Sequence, residues 1–206
     1  LVVAGRPVID LTRNASVAAF LDGIEPSIVI NAAAYTAVDK AETEEAEAFR
    51  INRDGPHYLA KWCAAHAVPL LHISTDYVFD GCSRTPYSER DACHPLSAYG
   101  RSKAAGEDAV RDALSEHIIV RTAWVYSADG NNFLKTMLKL GAERTSLAVV
   151  ADQRGGPTYA PAIARALLRL LRQRFDGAPS TGGIYHFGGF PHLSWCEFAQ
   201  AIFAEA

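Results

Sequence analysis

Short apolar runs alternate with amphipathic segments along the chain, and this alternation is the first feature that predicts a fold. Ile, Val and Leu dominate three runs without polar alternation, at residues 27–31, 69–74 and 118–122. Such runs are typical of parallel strands buried on both faces. Further strands are predicted at residues 1–4, 147–150 and 183–187. Helical spacing or capping residues predict helices at residues 14–21, 44–67, 97–114, 131–143, 161–173 and 197–204. Strands that alternate with helices indicate an α/β fold with a doubly wound parallel sheet and right-handed crossovers.

In sheets of this kind, ligands bind beyond the carboxyl ends of the strands, so the residues that follow each strand are the candidates for a functional site. Thr75 and Asp76 follow the second apolar run, and a hydroxyl beside a carboxylate at this edge favours a site over an ordinary turn cap. Trp124 follows the third run and fits a ligand wall or core packing equally well. The end of the first run leaves room for a flat cofactor, although an Ala-rich turn explains it equally well; its residues are Ala32, Ala33, Ala34, Tyr35 and Thr36.

Tyr99 and Lys103 lie four residues apart in the helix predicted after Ser97, so their side chains share one helix face. A phenol titrates near pH ~10 when unperturbed, and a neighbouring cation lowers that pKa toward the range where the phenol exchanges protons. An isolated pair of this kind is usually an ordinary surface Tyr and Lys. Here Thr75 stands at the end of the preceding apolar run, and its hydroxyl can donate to the same substrate oxygen that Tyr99 protonates. The three side chains therefore predict a catalytic site for carbonyl chemistry.

Composition narrows the class of protein. The 206 residues are 49% hydrophobic and 21% charged, with a net charge of −3, which is typical of a well-cored globular protein without a basic surface for nucleic acid. No apolar run approaches the ~20 residues of a membrane span, so we expect no membrane partner. The four cysteines show no zinc spacing and the histidines lack partners at ligand spacing, so we expect no metal site. Buried thiols favour a reducing compartment, the cytoplasm.

Five segments together resemble a known family. They are NAAAYTAVDKAE at residues 31–42, STDYVFDG at 74–81, YGRSK at 99–103, RTAWVY at 121–126 and DQRGGPT at 152–158. The YxxxK pattern is common to the extended short-chain dehydrogenase/reductase superfamily. The first two segments are more specific and are similar to the dTDP-4-dehydrorhamnose reductases within that superfamily.

The resemblance implies a fold, a reaction and partners. It implies an NAD(P)-binding Rossmann-like domain over residues 1–150, and part of a substrate domain mixed with the last sheet elements over residues 151–206. The implied reaction reduces the 4-keto group of a dTDP-sugar, with NADPH, or alternatively NADH, as the hydride donor. We expect a monomer or a homodimer.

Carried over position by position, the resemblance implies a role for each matching side chain. Tyr99 would donate the proton, Lys103 would lower its pKa and hold the nicotinamide ribose, and Thr75 would polarise the carbonyl. Besides Thr75, the sugar would contact Val38, Asp39, Asp76 and Trp124. The cofactor would lie along Asp10, Leu11, Ala32, Ala33, Ala34, Tyr35 and Thr36. Arg6 is a candidate for the 2′-phosphate of NADPH and, equally, a solvated turn arginine.

The sequence departs from the family pattern at its ends. The family opens with a strand and a Gly-rich turn that seats a pyrophosphate on a helix N-terminus, and no such turn precedes Leu1. We therefore expect this chain to be a piece that begins about one βα unit late and stops before the last segment of the substrate domain.

Two other functions fit the same scaffold. One is a dehydratase or epimerase of nucleotide sugars; it is less favoured because Tyr77, rather than an acidic residue, follows the Thr75–Asp76 pair. The other is a non-catalytic nucleotide-binding subunit that regulates a partner enzyme. Retention of both Tyr99 and Lys103 argues against it.

Overall fold

The computed structural model describes residues 1–176 and 182–206. Contacts divide the chain into two compact units, Leu1–Arg121 with Ser180–His186, and Thr122–Pro179 with Phe187–Ala206. Residues 183–186 belong to the first unit because they pair with the strand that reaches Arg121. The expected domain boundary at residue 150 stays a prediction. Among the described residues, no helix has the length and apolarity to cross a bilayer.

The helices and strands follow one another in the alternating order that the apolar pattern predicts. In chain order they are α1 (Asn14–Ile24), β1 (Val29–Asn31), α2 (Val38–Ala41), α3 (Glu45–Phe49), a π-helical turn (Arg50–Asp54), α4 (Gly55–Ala65), β2 (Leu70–Thr75), a 3₁₀ turn (Asp76–Val78), α5 (Ala98–Ala113), β3 (His117–Thr122), β4 (Val125–Tyr126), α6 (Phe133–Glu143), β5 (Arg154–Gly155), β6 (Thr158–Tyr159), α7 (Ala160–Phe175), β7 (Gly183–His186), β8 (Leu193–Ser194) and α8 (Trp195–Glu205).

A four-stranded sheet in the order β1-β2-β3-β7 forms the centre of the first unit. Strand β1 runs parallel to β2, with Ile30 opposite Leu71, and β3 runs parallel to β7, with Ile119 opposite Ile184. The predicted doubly wound, parallel, Rossmann-like α/β fold is confirmed. Helices α1, α4 and α5 cover the sheet through one apolar cluster, which includes Val17, Leu21, Leu59, Cys63, Leu70, Val110 and Ile119.

Two predicted strands are wrong. Residues 1–4 are exposed and form no strand in this structure, although they are apolar. Residues 147–150 also form no strand; instead Leu147 and Val149 pack into the apolar cluster of the second unit, and the Val150 carbonyl accepts a hydrogen bond from the Cys196 amide at 2.9 Å. An apolar run of four residues satisfies a core by side-chain packing as readily as by pairing.

The predicted helix over residues 44–67 forms with an irregularity in its middle. Helices α3 and α4 are joined by the π-helical turn Arg50–Asp54, where each hydrogen bond encloses one extra residue. At this turn Gly106 of α5 comes so close to the Asn52 carbonyl that a Cβ on it would lie 2.0 Å from that oxygen. The glycine therefore permits the backbone contact between α5 and the turn.

The second unit has its own apolar cluster. Met137 of α6 packs against Phe198 and Ile202 of α8, while the Trp124 and Trp195 rings stack with centroids 3.5 Å apart. Two short sheets, β4 with β6 and β5 with β8, complete this unit. Ser194 and Glu197 form a capping box at the start of α8.

Candidate active site

The end of β2 presents a hydroxyl and a carboxylate side by side. Thr75 is the last residue of the strand and caps the 3₁₀ turn, accepting a hydrogen bond from the Tyr77 amide at 3.2 Å. Its hydroxyl donates to Asp76 Oδ1 at 3.1 Å. Burial raises the pKa of Asp76, whereas this hydrogen bond lowers it. The turn chemistry thus fixes the direction of both side chains at the predicted ligand edge of the sheet.

Helix α5 begins directly against this turn. Ser97 accepts a hydrogen bond from the Gly100 amide at 3.0 Å and forms the N-cap of α5. A Cβ on Gly100 would lie 2.2 Å from the Tyr77 carbonyl oxygen, so only glycine permits this approach. The Tyr99 and Tyr77 rings meet edge to face at 5.4 Å. The close packing of α5 on the turn carries Tyr99 toward Thr75.

The side chains of Tyr99 and Thr75 lie close together at the end of β2. Tyr99 is buried at 8% exposure and Thr75 at 7%. Burial raises the pKa of Tyr99 to about 12, and a side-chain hydrogen bond with Thr75 acts in the opposite direction. Two hydroxyls that converge in this way can both serve one oxygen atom of a ligand.

The charge environment of Tyr99 differs from the sequence expectation. We expected Lys103 to lower the pKa of Tyr99, but the pKa is raised, because burial outweighs the other effects and the Asp76 carboxylate also disfavours the phenolate. Without a ligand, Tyr99 is therefore held as the protonated phenol, which is the form that can donate a proton.

Lys103 is buried at 2% exposure, one helical turn after Tyr99. Its ammonium nitrogen, Nζ, donates to the Ile73 carbonyl oxygen at 2.7 Å. Burial lowers the pKa of Lys103 to about 8, while the Glu107 carboxylate opposes that shift. The structure thus holds the Lys103 ammonium of α5 against β2 at Ile73, two residues before Thr75.

The segment after β1 offers small and accessible side chains. Ala32, Ala33 and Thr36 are exposed, whereas Ala34 and Tyr35 are half-buried. Asn52, in the π-helical turn, holds this segment by accepting from the Tyr35 amide at 2.8 Å and donating to the Tyr35 carbonyl at 3.0 Å. The Asn52 amide also donates to the Ser102 hydroxyl of α5 at 2.9 Å. One buried side chain therefore fixes the segment after β1 against the helix that carries Tyr99 and Lys103.

Other predicted site residues lie in different parts of the molecule. Val38 packs against the small cluster that contains Tyr99, and Asp39 beside it is exposed. Arg6 forms an exposed ion pair with Asp10 at 3.1 Å. Hydrogen bonds from the Thr12 hydroxyl and amide lower the pKa of Asp10 to about 2, and Arg6 adds a smaller effect.

Two further predicted contacts have other packing partners here. Leu11 packs against the main cluster of the first unit. Trp124 belongs to the second unit, where it stacks on Trp195. Its predicted contact with a sugar stays a prediction.

Sequence reasoning missed several buried polar residues around the site. His72 is 0% exposed within β2, and Asn52 is 1% exposed. Glu107 and Arg121 form a buried ion pair between α5 and β3. For His72 the sequence did carry a signal, because a polar residue inside an apolar run that predicts a buried strand is itself expected to be buried. A buried polar side chain needs hydrogen-bond partners.

The side chains present fit a nicotinamide cofactor and a carbonyl substrate. The described residues contain no cluster of three or more His, Cys, Asp or Glu that could hold a metal ion. Tyr99 and Thr75 supply hydroxyls, and the buried Lys103 supplies an amine whose proton affinity responds to a bound partner. This donor set suits a ribose hydroxyl and a ketone oxygen.

Comparison with known proteins gives one consistent result. The family model described as RmlD substrate binding domain matches residues 1–206. The dTDP-4-dehydrorhamnose reductase of Aggregatibacter actinomycetemcomitans is 47% identical over 198 residues, which is 96% of this chain and 67% of that protein. The protein of the same name from Sinorhizobium fredii is 46% identical over 99% of this chain and 69% of its own length.

A solved structure agrees with these relatives. The crystal structure of dTDP-4-dehydrorhamnose reductase from Bacillus anthracis in complex with NADP superposes with a TM-score of 0.92 at 39% identity, and the match covers 98% of this chain and 70% of that one. The chain thus spans about two thirds of the length of the proteins it resembles.

Proposed function

The chain belongs to the RmlD substrate binding domain family, that of the dTDP-4-dehydrorhamnose reductases, and from this premise we propose that it reduces the 4-keto group of dTDP-4-dehydro-L-rhamnose to give dTDP-L-rhamnose. The observation that carries the proposal is the convergence of the Thr75 and Tyr99 hydroxyls at the carboxyl end of β2. Reduction of a ketone needs a donor for its oxygen, and these two side chains supply a proton and a hydrogen bond.

Tyr99 and Thr75 have different roles at the ketone oxygen. Tyr99 holds its proton because burial raises its pKa to about 12, so it releases that proton only to an oxygen that has become strongly basic. Thr75 donates a hydrogen bond to the same oxygen and disperses its developing charge. The Thr75 hydroxyl now donates to Asp76 and would turn to the substrate.

NADPH, when bound, supplies the hydride. Lys103 and Tyr99 would hold its nicotinamide ribose, since both line the same face of α5. The segment Ala32–Thr36 would lie along the cofactor, with Asp10 and Leu11 near the adenosine. Arg6 would pair with the 2′-phosphate, and NADH is the alternative cofactor. The NADP complex of the Bacillus anthracis relative supports this choice.

The sugar would contact Val38, Asp39, Asp76 and Trp124 in addition to Thr75. Val38 packs with Tyr99, and Asp76 accepts a hydrogen bond from Thr75, which supports their contact with the sugar. A regulatory subunit needs neither proton donor nor buried lysine. The presence of both Tyr99 and Lys103, one turn apart on α5, supports catalysis.

A direct assay tests the proposal. The full-length protein, with the Gly-rich βα unit expected before Leu1 included, is supplied with NADPH and dTDP-4-dehydro-L-rhamnose, and NADPH oxidation is followed together with the mass and C4 configuration of the product. Stoichiometric formation of dTDP-L-rhamnose is expected. No turnover, combined with tight binding to another protein of the same cells, would instead establish a regulatory subunit.

We place the protein in the cytoplasm as a monomer or homodimer. The cysteines Cys63, Cys82, Cys93 and Cys196 are free thiols in the structure, which supports a reducing compartment. Size-exclusion chromatography with light scattering measures the oligomeric state.

A further inference from the structure

His72 is a buried imidazole between two parts of the site. It lies in the middle of β2 at 0% exposure. On one side its Nδ1 is 3.0 Å from the Asn31 amide nitrogen at the end of β1, and on the other its Nε2 is 3.5 Å from Lys103 Nζ. A buried imidazole with polar partners on both nitrogens has a defined tautomer, which its partners set.

The orientation of Asn31 fixes that tautomer. The Ala33 amide donates to Asn31 Oδ1 at 3.1 Å, so the oxygen of the Asn31 side chain faces the backbone and its NH₂ group faces His72. An NH₂ group can only donate, so His72 Nδ1 accepts and carries no proton. Burial, followed by the charge of Lys103, lowers the pKa of His72 well below its ordinary value. The ring is therefore neutral, and its single proton is on Nε2.

The protonated nitrogen of His72 consequently points at Lys103. A lysine ammonium has three donors and no acceptor, so it meets the Nε2–H as a second donor. An uncharged amine keeps a lone pair that accepts from Nε2–H, while one of its own hydrogens serves the Ile73 carbonyl at 2.7 Å. The chain of hydrogen bonds from Ala33 through Asn31 and His72 is thus complete only when Lys103 is uncharged.

The carboxylate that acts on Lys103 already forms an ion pair with another residue. Glu107, one turn further along α5, raises the pKa of Lys103, but both of its oxygens accept from Arg121, with the shortest contact at 2.6 Å. The elements packed against α5 bring other charged or titratable groups. Asp76 and Tyr77 act on Tyr99. Four ion pairs engage other charged groups of these elements: Glu45 with Arg101, Arg53 with Asp54, Lys40 with Glu44 and Arg50 with Glu47.

We propose that His72 is a positioning residue for Lys103, which it holds against β2 and, through its Nε2–H, biases toward the uncharged amine in the cofactor-free protein. The inference rests on the proposed function only for the role of Lys103 in it. The inference concerns which groups donate and which accept along these hydrogen bonds. Asn31 donates to Nδ1 of His72, so His72 presents its Nε2–H to Lys103.

A substitution that exchanges donor and acceptor between residue 31 and His72 tests the inference. In Asn31→Asp, a carboxylate of nearly the same shape still accepts from the Ala33 amide, but it offers His72 an acceptor in place of a donor. The ring proton then moves to Nδ1, and Nε2 presents a lone pair to Lys103. Lysine is the stronger base, so its ammonium becomes the favoured form. We expect the titration midpoint of Lys103 to rise by about one pH unit or more.

We call the hydrogen-bonded chain from Asn31 through His72 to Lys103 the relay. Nuclear magnetic resonance measures the protonation of His72 and of Lys103 without cofactor or substrate. Two-bond ¹H–¹⁵N correlations distinguish the protonated from the unprotonated ring nitrogen of His72. The ¹³Cε shift of labelled lysine reports the titration of Lys103 among only five lysines, and Lys103→Arg assigns its signal. In the unsubstituted protein we expect the Nε2–H tautomer and a Lys103 midpoint well below those of the other lysines.

A double variant separates the relay from simple charge. Asn31→Asp combined with His72→Phe keeps the new carboxylate but removes both ring nitrogens, so the rise in the Lys103 midpoint should be clearly smaller than in Asn31→Asp alone. An equal rise would show that charge acts without the ring and would overturn the inference. A protonated Nδ1, an imidazolium or an ordinary Lys103 titration in the unsubstituted protein would overturn it too, whether or not the variants fold. None of these outcomes bears on reductase turnover, which is measured separately.

Discussion

The Glu107 carboxylate and the Arg121 guanidinium form a buried two-pronged ion pair, with Arg121 Nη2 2.6 Å from Glu107 Oε2 and both side chains at most 4% exposed. Because one lies on α5 and the other on β3, the pair ties the helix that carries Tyr99 to the sheet. The Ser74 hydroxyl also donates to Glu107. The pair thus connects three elements that meet at the site.

Removing one partner of this pair should destabilise the protein strongly. Glu107→Gln leaves the Arg121 charge buried without its counter-ion, and we expect a loss of about 3–5 kcal/mol in the free energy of unfolding. Denaturant titration followed by circular dichroism measures it. Asp108→Asn is the matched control, because its ion pair with Arg111 is exposed and should contribute less than about 1 kcal/mol. Equal effects of the two substitutions would show that burial does not govern the first pair.

Tyr99→Phe should remove the proton donor and leave the fold intact. The ring still packs in the cluster of Ala41, Ala48 and Ala98, so the melting temperature should change little. We expect kcat to fall on the order of 10²–10⁴-fold, the usual range for loss of a general acid. Steady-state kinetics with NADPH and the keto sugar provide the measurement. Tyr159→Phe, at a 42% exposed tyrosine of the second unit, should retain full turnover, and near-normal turnover of Tyr99→Phe would remove Tyr99 from the mechanism.

The glycine at position 100 should tolerate no side chain. Gly100→Ala places a Cβ against the Tyr77 carbonyl, where the available distance is 2.2 Å, so either α5 or the 3₁₀ turn must move. Because Thr75 caps that turn, we expect a loss of both stability and kcat. Gly23→Ala in α1 is the control: nothing lies within 4 Å of its Cβ, and the substitution should stabilise by roughly 0.5–1 kcal/mol. Thermal melts of both variants test the contrast, and a stable, active Gly100→Ala would refute the close approach.

Lys103 should make part of the stability depend on pH. Burial lowers its pKa to about 8 in the folded protein, whereas an unfolded lysine titrates near ~10.4. Above about pH 8 the unfolded chain therefore binds more protons at this residue, so the contribution of Lys103 to stability rises with pH. Cys63, whose pKa burial raises to about 12, acts in the opposite direction at alkaline pH. The test is therefore a difference between two proteins.

Lys103→Met supplies that difference. The free energy of unfolding of the unsubstituted protein, minus that of Lys103→Met, should increase by about 2–3 kcal/mol between pH 8 and pH 10. Below pH 8 the difference should be flat, because both states keep the lysine proton. Urea titrations at several pH values measure it. A flat difference up to pH 10 would mean that Lys103 keeps an ordinary proton affinity in the folded protein.

The sequence predicted the sheet and the main helices because long apolar periodicity dominates local preference. It also placed Thr75 and Tyr99 together, since the edge of a parallel sheet brings successive strand ends to one side. The same reasoning failed for residues 1–4 and 147–150, where short apolar runs found no strand partner. Local pattern gives no information about pairing partners.

The relay around Lys103 was beyond sequence reasoning for a different reason. His72 and Asn52 have neighbours distant in the chain, such as Lys103 and Ser102, and a single sequence contains no record of such contacts. The direction of the Tyr99 pKa was also missed. It depends on burial, which the four-residue spacing between Tyr99 and Lys103 does not reveal.

Arg6 should decide between the two nicotinamide cofactors if it meets the 2′-phosphate. It is exposed and pairs with Asp10, so the guanidinium is available and is held near the predicted adenosine position. Arg6→Ala should lower kcat/KM for NADPH by roughly tenfold or more and leave kcat/KM for NADH nearly unchanged, because only NADPH carries the additional phosphate charge. Arg13→Ala, at the exposed arginine that precedes α1, is the matched control and should alter neither value. An unchanged ratio of the two kcat/KM values in Arg6→Ala would show that Arg6 is a solvated turn arginine.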